Sequence, residues 1–320
     1  MKNTIVVIGA GISGLVVARE LVALGARVQV LEKSRGVGGR MSTKRVGDAV
    51  FDQGAQFFTA RDDGFKQMIE SWRKDGVVER WFGDDKPRWV VRPSMTGLAK
   101  ALAKQVPISL GHKVSSVTRF PCCGCWEIAI EGEGIIRAER VVLSSPVPQS
   151  LELLDAGDVA LPGNLRTELD RCDYHPCLAL MLTLDKESRV PAEGLSPESG
   201  PIRWIADNVS KGITQGAKGA LTVHLSRDFS GRHYGLGVDE VFERILPALR
   251  PYLGSAVVNS MQIHRWRFSE PRTLYPRPYV WLPEMRLGFC GDAFDSPRVE
   301  GAVVSGLALA RQIATTLRSE

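Results

Sequence analysis

The sequence predicts an α/β fold with a βαβ unit at its start and a middle region of mixed α and β character. The first observation is a strand, a glycine turn, a helix and a second strand in immediate succession at the start of the chain. The second is a long helical pattern rich in small residues near the end, directly after a short apolar strand. The third is a change in composition over residues 150–268, where several β-like segments mix polar and aromatic residues. Together they indicate that the two ends of the chain and its middle form structural units with different patterns of apolar and polar residues.

The opening stretch, residues 4–32, has the pattern of a βαβ unit that binds a dinucleotide. Residues 4–8 form a short β-branched run stopped by glycine, residues 15–24 are apolar on one helical face, and residues 27–31 are a second strand. The turn between the first strand and the helix has the G-x-G-x-x-G spacing and consists of Gly9, Ala10, Gly11, Ile12, Ser13 and Gly14. In this context the spacing predicts a dinucleotide site.

Each residue type in this turn has a physical reason. We expect Gly9 to allow the tight turn, Gly11 to let the backbone approach a pyrophosphate, and Gly14 to let the helix pack closely. The helix N-terminus offers unpaired amides to the phosphates. Glu32, about 20 residues after the second glycine, would accept hydrogen bonds from a ribose and repel a 2′-phosphate. A secretory signal is the rival interpretation because Lys2 precedes an apolar run, but glycines and charged residues interrupt that run.

Length and composition limit the remaining classes. A chain of 320 residues can form a large core and two domains, and 44% hydrophobic with 24% charged residues is ordinary for a globular protein. No apolar run reaches the roughly 18 residues expected of a membrane span. The net charge of +5 is mild and scattered, which suits an anionic small molecule better than nucleic acid. We therefore expect a cytoplasmic protein without nucleic-acid or membrane partners; the oligomeric state stays open.

The six cysteines show no spacing typical of a disulfide scaffold, so we expect reduced thiols. Three of them, Cys122, Cys123 and Cys125, lie at the tip of a predicted hairpin between β-like residues 113–120 and 126–130. Such a run raises the question of a metal site. No second cysteine pair or nearby histidine completes one, so we predict no metal.

A second glycine-rich stretch follows the terminal acid of the βαβ unit. Here Gly38, Gly39 and Arg40 can place backbone amides and a guanidinium against phosphate oxygens, although a surface turn with a solvated arginine is the alternative. Further on, residues 52–58 combine small residues with a glutamine and two phenylalanines. This composition suits a loop packed against a flat ring; a core hairpin with buried phenylalanines is the alternative.

The C-terminal signal is a short strand at residues 287–290, then Gly291 and Asp292, then residues 298–306 leading into a helix that continues to Leu317. With the G-x-G-x-x-G turn, the terminal glutamate, the G-G-R stretch and the D-x-G-A segment, this end of the chain resembles the flavin amine oxidase superfamily. Within it, the compact length and the W-I-A-x-N-x-S-K stretch resemble the bacterial renalase-type proteins.

The resemblance implies a Rossmann-like FAD-binding domain formed by residues 1–60, 92–150 and 270–320, with residues 61–91 and 151–269 as an inserted domain that roofs the flavin. It implies that FAD is bound non-covalently. The terminal helix would favour negative charge near flavin N1 and O2. The implied cofactor contacts are Gly9, Ala10, Gly11, Ile12, Ser13, Gly14, Glu32, Lys33, Gly38, Gly39, Arg40, Gln56, Phe57, Val114 (through its backbone, at the adenine), Gly291, Asp292 (at the ribityl chain), Val299, Glu300, Gly301, Ala302 and Val303.

The renalase-type resemblance implies oxidation of 2- or 6-dihydro-NAD(P) to NAD(P)+, with dioxygen reduced to hydrogen peroxide. Such a substrate is already a hydride donor, so no general base is required and we assign no catalytic side chain. The alternatives are oxidation of a small amine, a desaturase or protoporphyrinogen-type oxidase acting on a large apolar substrate, and a flavin-binding protein without turnover.

The predicted substrate contacts rest on two considerations. Arg61 and Arg298, beside the cofactor segments, could pair with the pyrophosphate of a dinucleotide substrate, or be solvated surface charges. Trp204, Asn208 and His224 lie in the segments that the resemblance assigns to the substrate side, although aromatic and histidine side chains on strands are more often core. The full predicted set is Phe57, Phe58, Thr59, Ala60, Arg61, Thr96, Trp204, Asn208, His224 and Arg298.

Overall fold

The computed structural model describes residues 4–120 and 124–319. The helices are α1 (Ile12–Ala23), α2 (Asp63–Lys74), α3 (Thr96–Ala103), α4 (Val147–Asp155), α5 (Leu165–Asp170), α6 (Arg227–His233), α7 (Val238–Leu253) and α8 (Val299–Ser319), with single 3-10 turns at Gly39–Met41 and Asp292–Phe294. The strands are β1 (Thr4–Ile8), β2 (Arg27–Glu32), β3 (Thr43–Val46), β4 (Ala49–Asp52), β5 (Val78–Phe82), β6 (Arg88–Val91), β7 (Ile108–Leu110), β8 (Val114–Arg119), β9 (Trp126–Ile130), β10 (Gly134–Ala138), β11 (Arg140–Leu143), β12 (Tyr174–Leu184), β13 (Ile202–Asp207), β14 (Gly219–Leu225), β15 (Val258–Pro271), β16 (Val280–Leu282) and β17 (Leu287–Phe289).

A six-stranded sheet in the order β16-β17-β11-β1-β2-β7 forms the centre of the first domain. Its strands are parallel except for the edge strand β16. On β1, Ile5 and Val7 pack towards α1 and α8, while Val6 and Ile8 pack towards α4 and the sheet β10-β9-β8. Burial on both faces explains why β1 is a continuous apolar run rather than an alternating one. The predicted α/β class with a Rossmann-like domain is confirmed.

A four-stranded antiparallel sheet, in the order β13-β14-β12-β15, forms the second domain. Successive side chains of a strand point to opposite faces of the sheet. On one face Leu180 and Val223 pack against α7. On the other, Met181 and Ala220 pack against Ala49 and Phe51 of the first domain. The second sheet therefore lies with one face towards the first domain, in agreement with its predicted place as a roof.

The domain boundaries differ from the predicted ones. Phe65, Ile69 and Trp72 of α2 belong to the same buried cluster as α1 and α8, so residues 61–91 pack with the first domain. Leu151 and Leu154 of α4 likewise pack against β8 and β9. The second domain is thus smaller than residues 61–91 plus 151–269. The predicted bounds came from the resemblance, whereas the apolar inner faces of α2 and α4 place both helices with the first domain.

Among the described residues, no helix has the length and hydropathy needed to cross a membrane. Three cysteines, Cys172, Cys177 and Cys290, are buried with free thiols. Of the hairpin-tip cysteines, Cys122 and Cys123 lie outside the described residues, and Cys125 is disulfide-bonded, which corrects the expectation that all six thiols are reduced. Within residues 4–120 and 124–319, no three His, Cys, Asp or Glu side chains are grouped as metal ligands would be.

Candidate active site

The turn between β1 and α1 is held by close backbone contacts. Gly9 has a φ of +105°, and its amide donates to the Leu31 carbonyl at 2.8 Å. A Cβ on Gly14 would lie 2.2 Å from the Gly9 carbonyl oxygen, whereas a Cβ on Gly11 would meet no protein atom within 4 Å. Gly14 is therefore required for packing. Gly11 instead leaves an open surface of backbone, the kind of cradle a pyrophosphate needs.

The Glu32 carboxylate joins the two glycine-rich stretches. Its two oxygens accept from the Ala10 and Ser34 amides, each at 2.8 Å, and the Gly38 amide donates to the Ala10 carbonyl at 2.9 Å. Each carboxylate oxygen can accept a further hydrogen bond. The predicted ribose acceptor is thus fixed at the end of β2, with Lys33 exposed beside it.

Arg40 and Asp292 form an ion pair that the sequence did not predict. Both guanidinium NH2 groups donate to the carboxylate at 2.6 Å, and Arg40 also donates to the Ser269 carbonyl at 3.3 Å. Although burial alone would lower it, the pKa of the Arg40 guanidinium is raised because Asp292 stabilises the charge. Planar bidentate pairing fixes both side chains. The G-G-R stretch and the Gly-Asp segment, predicted separately as cofactor contacts, therefore lie side by side.

Glu300 anchors the start of α8 to the chain that follows the aromatic loop. One oxygen of its buried carboxylate accepts from the amides of Arg61 and Asp62, the latter at 2.7 Å. Beside it is a cavity of about 270 Å³ lined by residues that include Arg61, Arg298 and Asp295. The two arginines predicted to bind a substrate pyrophosphate thus face one cavity. The first turn of α8 carries the other predicted contacts of this end, Val299, Gly301, Ala302 and Val303.

Residues 53–57, here called the ring loop, are held by the second domain. The Gln53 carbonyl accepts from His224 Nε2 at 3.1 Å and from Trp266 Nε1 at 3.0 Å. Burial lowers the pKa of His224 to about 4, so the imidazole is neutral near pH 7 and donates from Nε2. Gln53 and Gln56 are buried, and each has an Oε1 atom without a partner among the described residues. These two acceptors fit a ligand that offers N–H donors.

Four aromatic rings form what is here called the aromatic cluster: that of Phe57, the last residue of the ring loop, and three rings beside it. The centre of the Phe57 ring is 5.2 Å from that of Trp204, 6.3 Å from Trp81 and 6.2 Å from Phe82. The structure thereby brings the predicted contacts Phe57 and Trp204 together. Sequence reasoning missed Trp81 and Phe82, which the adjacent W-F pair on a short polar strand could have indicated.

Three predicted substrate contacts instead support the protein itself. Phe58 is 3% exposed and packs in the core against Phe65, and Asn208 is 0% exposed with its amide bound to the Ala220 carbonyl and Thr222. Thr96 donates to the Met41 carbonyl at 3.1 Å. Because these three side chains are buried, they leave almost no surface for a substrate. The prediction that they contact the substrate directly is therefore corrected. Thr59 and Ala60 stay partly exposed.

Two family profiles match the chain. Residues 7–72 match the NAD(P)-binding Rossmann-like domain, and residues 77–314 match the flavin containing amine oxidoreductase family. Because the second match spans more than half of the chain, the protein belongs to the flavin-containing amine oxidoreductase family. The predicted superfamily is confirmed.

Curated proteins with similar sequences share a short segment with this chain. Lysine-specific histone demethylase 1 homolog 3 from Oryza sativa subsp. indica is 52% identical over 44 residues, which are 14% of this chain and 5% of that protein. The Drosophila melanogaster protein named "Possible lysine-specific histone demethylase 1" is 51% identical over 55 residues, 17% of this chain and 6% of that protein. This chain therefore covers a small fraction of the length of these relatives.

Solved structures match over nearly the whole chain. A provisionally assigned protoporphyrinogen oxidase from Exiguobacterium sp. 255-15 superposes with a TM-score of 0.76 at 12% identity over 99% of both chains. An oxidoreductase from Methanosarcina mazei gives 0.69 at 14% identity over 96% of this chain and 100% of that one. Wild-type putrescine oxidase bound to putrescine gives 0.63 at 15% identity over 98% and 99%. At these identities the likeness shows the fold alone.

FAD is the cofactor of this protein, as its family and its Rossmann-like domain indicate. The residues present fit it. Gly11 leaves the open cradle, Glu32 keeps acceptor capacity for a ribose, and the buried Oε1 atoms of Gln53 and Gln56 can accept from a polar ring. Val114, predicted to hold the adenine through its backbone, is buried at the start of β8.

Proposed function

We propose that this flavin-dependent oxidoreductase oxidises dihydro isomers of NAD(P)H, 2- or 6-dihydro-NAD(P), to NAD(P)+. The substrate gives up one hydride and its ring becomes aromatic. The hydrogen and two electrons of that hydride, together with one proton from solvent, convert dioxygen to hydrogen peroxide. When bound, FAD supplies the hydride acceptor and the route to oxygen. The observation that carries the proposal is the position of Arg61 and Arg298 at one cavity beside the start of α8.

Both guanidiniums are available for a phosphate. Within residues 4–120 and 124–319, neither Arg61 nor Arg298 forms an ion pair with a carboxylate, and both are exposed. Two nearby acids are already engaged, because Asp62 caps α2 by accepting from the Phe65 amide and Glu300 accepts from two amides. One arginine guanidinium can donate two parallel hydrogen bonds to two oxygens of a phosphate. The exposed Asp295 lines the same cavity, so the proposal of an anionic dinucleotide rests on the two guanidiniums and not on the net charge of the lining.

The side chains near the ring loop suit a reaction without a general base. His224 is neutral and donates to the Gln53 carbonyl, so it is committed to holding the loop. Phe57 and Trp204 offer flat apolar surface beside that loop. A dihydronicotinamide needs orientation at a contact distance of about 3–3.5 Å rather than proton removal from carbon.

Oxidation of a small amine is the second candidate, because the aromatic cluster has the composition of a site that binds a cation over aromatic faces. The guanidinium carbon of Arg88, however, lies 5.8 Å from the centre of the Phe57 ring and 5.5 Å from that of Phe82. A cation thus already occupies these two faces. Its charge would disfavour a protonated amine and favour an anionic substrate.

Anaerobic reduction of the FAD-loaded protein separates these functions. The loaded protein is mixed with 2- and 6-dihydro-NAD(P), with ordinary NADH and NADPH, and with a panel of amines that includes putrescine, and the absorption of oxidised flavin is followed. The proposal predicts rapid bleaching by a dihydro isomer and slow or no bleaching by the rest. Bleaching by amines alone would instead establish the second candidate, and no bleaching by any compound would leave a flavin-binding protein without turnover.

The Arg298→Ala variant tests the phosphate contact. We expect the KM for the dinucleotide to rise about tenfold, as befits one lost charged hydrogen bond, with FAD still bound. The matched control is Arg311→Ala, which removes an exposed arginine further along α8. Steady-state constants of the Arg298 variant equal to those of the control would rule out the contact.

A further inference from the structure

Lys211 is a fully buried lysine on the chain that follows β13. Its ammonium donates to Asp52 Oδ2 at 2.7 Å and to the Gln56 carbonyl at 2.6 Å, and lies 5.3 Å from the centre of the Trp81 ring. Both partners of the ion pair are 0% exposed. Two N–H groups thus bind oxygen, and the ammonium also lies close to an aromatic ring.

Asp52, the last residue of β4, brings several segments together at this point. Its Oδ1 atom accepts from the Met95 amide and from the Thr43 hydroxyl, each at 2.9 Å, while Oδ2 accepts from Lys211. Thr43 and Met95 belong to the first domain, whereas Lys211 comes from the chain joining β13 to β14. The pair therefore joins the two domains directly beside the ring loop.

Stability alone does not account for this pair. Removing two charges from water costs several kcal/mol per ion, and well-packed apolar residues often replace a buried pair without loss. Burial lowers the pKa of Lys211, and Asp52 opposes that shift. What an apolar pair could not supply is the directed hydrogen bond from Lys211 to the Gln56 carbonyl. Gln53 is bound by His224 and Trp266, so both ends of the ring loop are fixed by side chains of the second domain.

We propose that Lys211 is a positioning residue, which holds the Gln56 carbonyl and thereby sets the ring loop against the flavin. This rests on the proposed function in that the ring loop faces the bound cofactor. The second domain then both covers the site and fixes the position of the ring loop beside the cofactor. Because the substrate pyrophosphate is bound elsewhere, at Arg61 and Arg298, loss of Lys211 lowers kcat far more than it raises KM.

The test compares Lys211→Met, the double variant Asp52→Asn with Lys211→Met, and Lys218→Met as the matched control. Lys218 is an exposed lysine on the same connection between β13 and β14. FAD affinity, visible circular dichroism of bound FAD, thermal stability, kcat and KM are measured for each. For Lys211→Met we expect an altered visible circular dichroism band and a kcat roughly 100-fold lower, the cost of a displacement near 1 Å, with KM within a few-fold.

The double variant separates positioning from support of the fold. It removes the unpaired buried carboxylate, so thermal stability recovers relative to Lys211→Met, but the dichroism band and kcat stay altered because the Gln56 carbonyl still lacks its donor. Recovery of all three properties in the double variant would overturn the proposal, as would a Lys211→Met variant that matches Lys218→Met. If Lys211→Met does not fold, the double variant decides.

Failure of the proposed reaction can be told apart from failure of the positioning role of Lys211. If no dihydro isomer bleaches the wild-type flavin, the proposed reaction is wrong. FAD affinity and the dichroism band of the variants still report the position of the ring loop without any substrate.

Discussion

The two sides of the candidate site are held in place by different means. On the dinucleotide side, the turn at residues 9–14 is fixed by backbone contacts so close that a Cβ on Gly14 would lie 2.2 Å from a carbonyl oxygen. On the other side, the ring loop is fixed by long side chains of the second domain, His224, Trp266 and Lys211. The first side depends on the absence of side chains, the second on their exact chemical groups.

This difference determines how each side responds to change. At Gly14 the turn has no free volume and cannot accommodate even one methyl group, since protein interiors are packed like organic crystals. A loop held by separate hydrogen bonds can lose one of them and keep the others, so each lost bond shifts the loop only partly. We therefore expect substitutions on the dinucleotide side to cause large losses of stability or of FAD binding, and substitutions on the ring-loop side to cause smaller ones.

The largest effect is expected for Gly14→Ala compared with Gly11→Ala. The Gly14 variant forces atoms apart around the Gly9 carbonyl and Ser144, so the free energy of unfolding should fall by about 3 kcal/mol. The Gly11 variant meets no protein atom and should keep the stability of the FAD-free protein within about 1 kcal/mol, yet lose FAD affinity by at least about tenfold.

Urea unfolding without FAD and titration with FAD measure both effects. Equal stability of the two variants would show that the close contact at Gly14 relaxes at little cost. Full FAD affinity in the Gly11 variant would show that the pyrophosphate does not approach that backbone.

An intermediate effect is expected from acid. Burial lowers the pKa of His224 from 6.5 to about 4, so its neutral form stabilises the fold fully above pH 6.5 and this contribution is lost as the pH falls towards 4. Between pH 7 and 4.5, the wild type should lose roughly 2–3 kcal/mol more stability than His224→Gln, which cannot titrate. Other titrating groups are shared by both proteins and cancel. Parallel losses, measured by urea unfolding at the two pH values, would contradict the assignment.

The smallest effect is expected for Trp266→Phe, which removes one donor to the Gln53 carbonyl. The control is Trp281→Phe, because the Trp281 indole N–H has no partner among the described residues and its ring is also partly buried. The Trp266 variant should be less stable than the control by about 1 kcal/mol, the net value of one hydrogen bond. Indistinguishable unfolding midpoints would mean that the ring loop does not depend on this donor.

The sequence was sufficient for most of the secondary structure and for the cofactor. The turn at residues 9–14 could be recognised because its function depends on spacing within one short segment. Helix α1 begins at Ile12 rather than at residue 15, a difference of the size expected at helix ends. Arg40 and Asp292 were each predicted as cofactor contacts, but their pairing across 252 positions of the chain was not.

The substrate side was harder to predict because neighbouring residues on the chain have opposite fates. Phe57 joins the aromatic cluster while Phe58 is buried in the core, as alternation of side chains along an extended segment requires, and the sequence does not say which of the two faces the site. Asn208, which was predicted as a substrate contact, and Lys211, for which no role was predicted, lie in one polar loop, and both are 0% exposed. Burial of such groups depends on what packs over them.

By itself, the sequence determined the α/β fold and the dinucleotide turn, because these depend on local periodicity and on glycines at fixed spacing. The prediction that the dinucleotide is FAD came from the resemblance of further segments to the flavin amine oxidase superfamily. Only the tertiary structure decided which side chains hold the ring loop and which two arginines share a cavity. Lys211 meets Asp52 across 159 positions, a contact set by how the two domains pack, and Arg61 meets Glu300 across 239 positions, a contact set by how distant segments of the first domain come together. No pattern within a short segment carries that information.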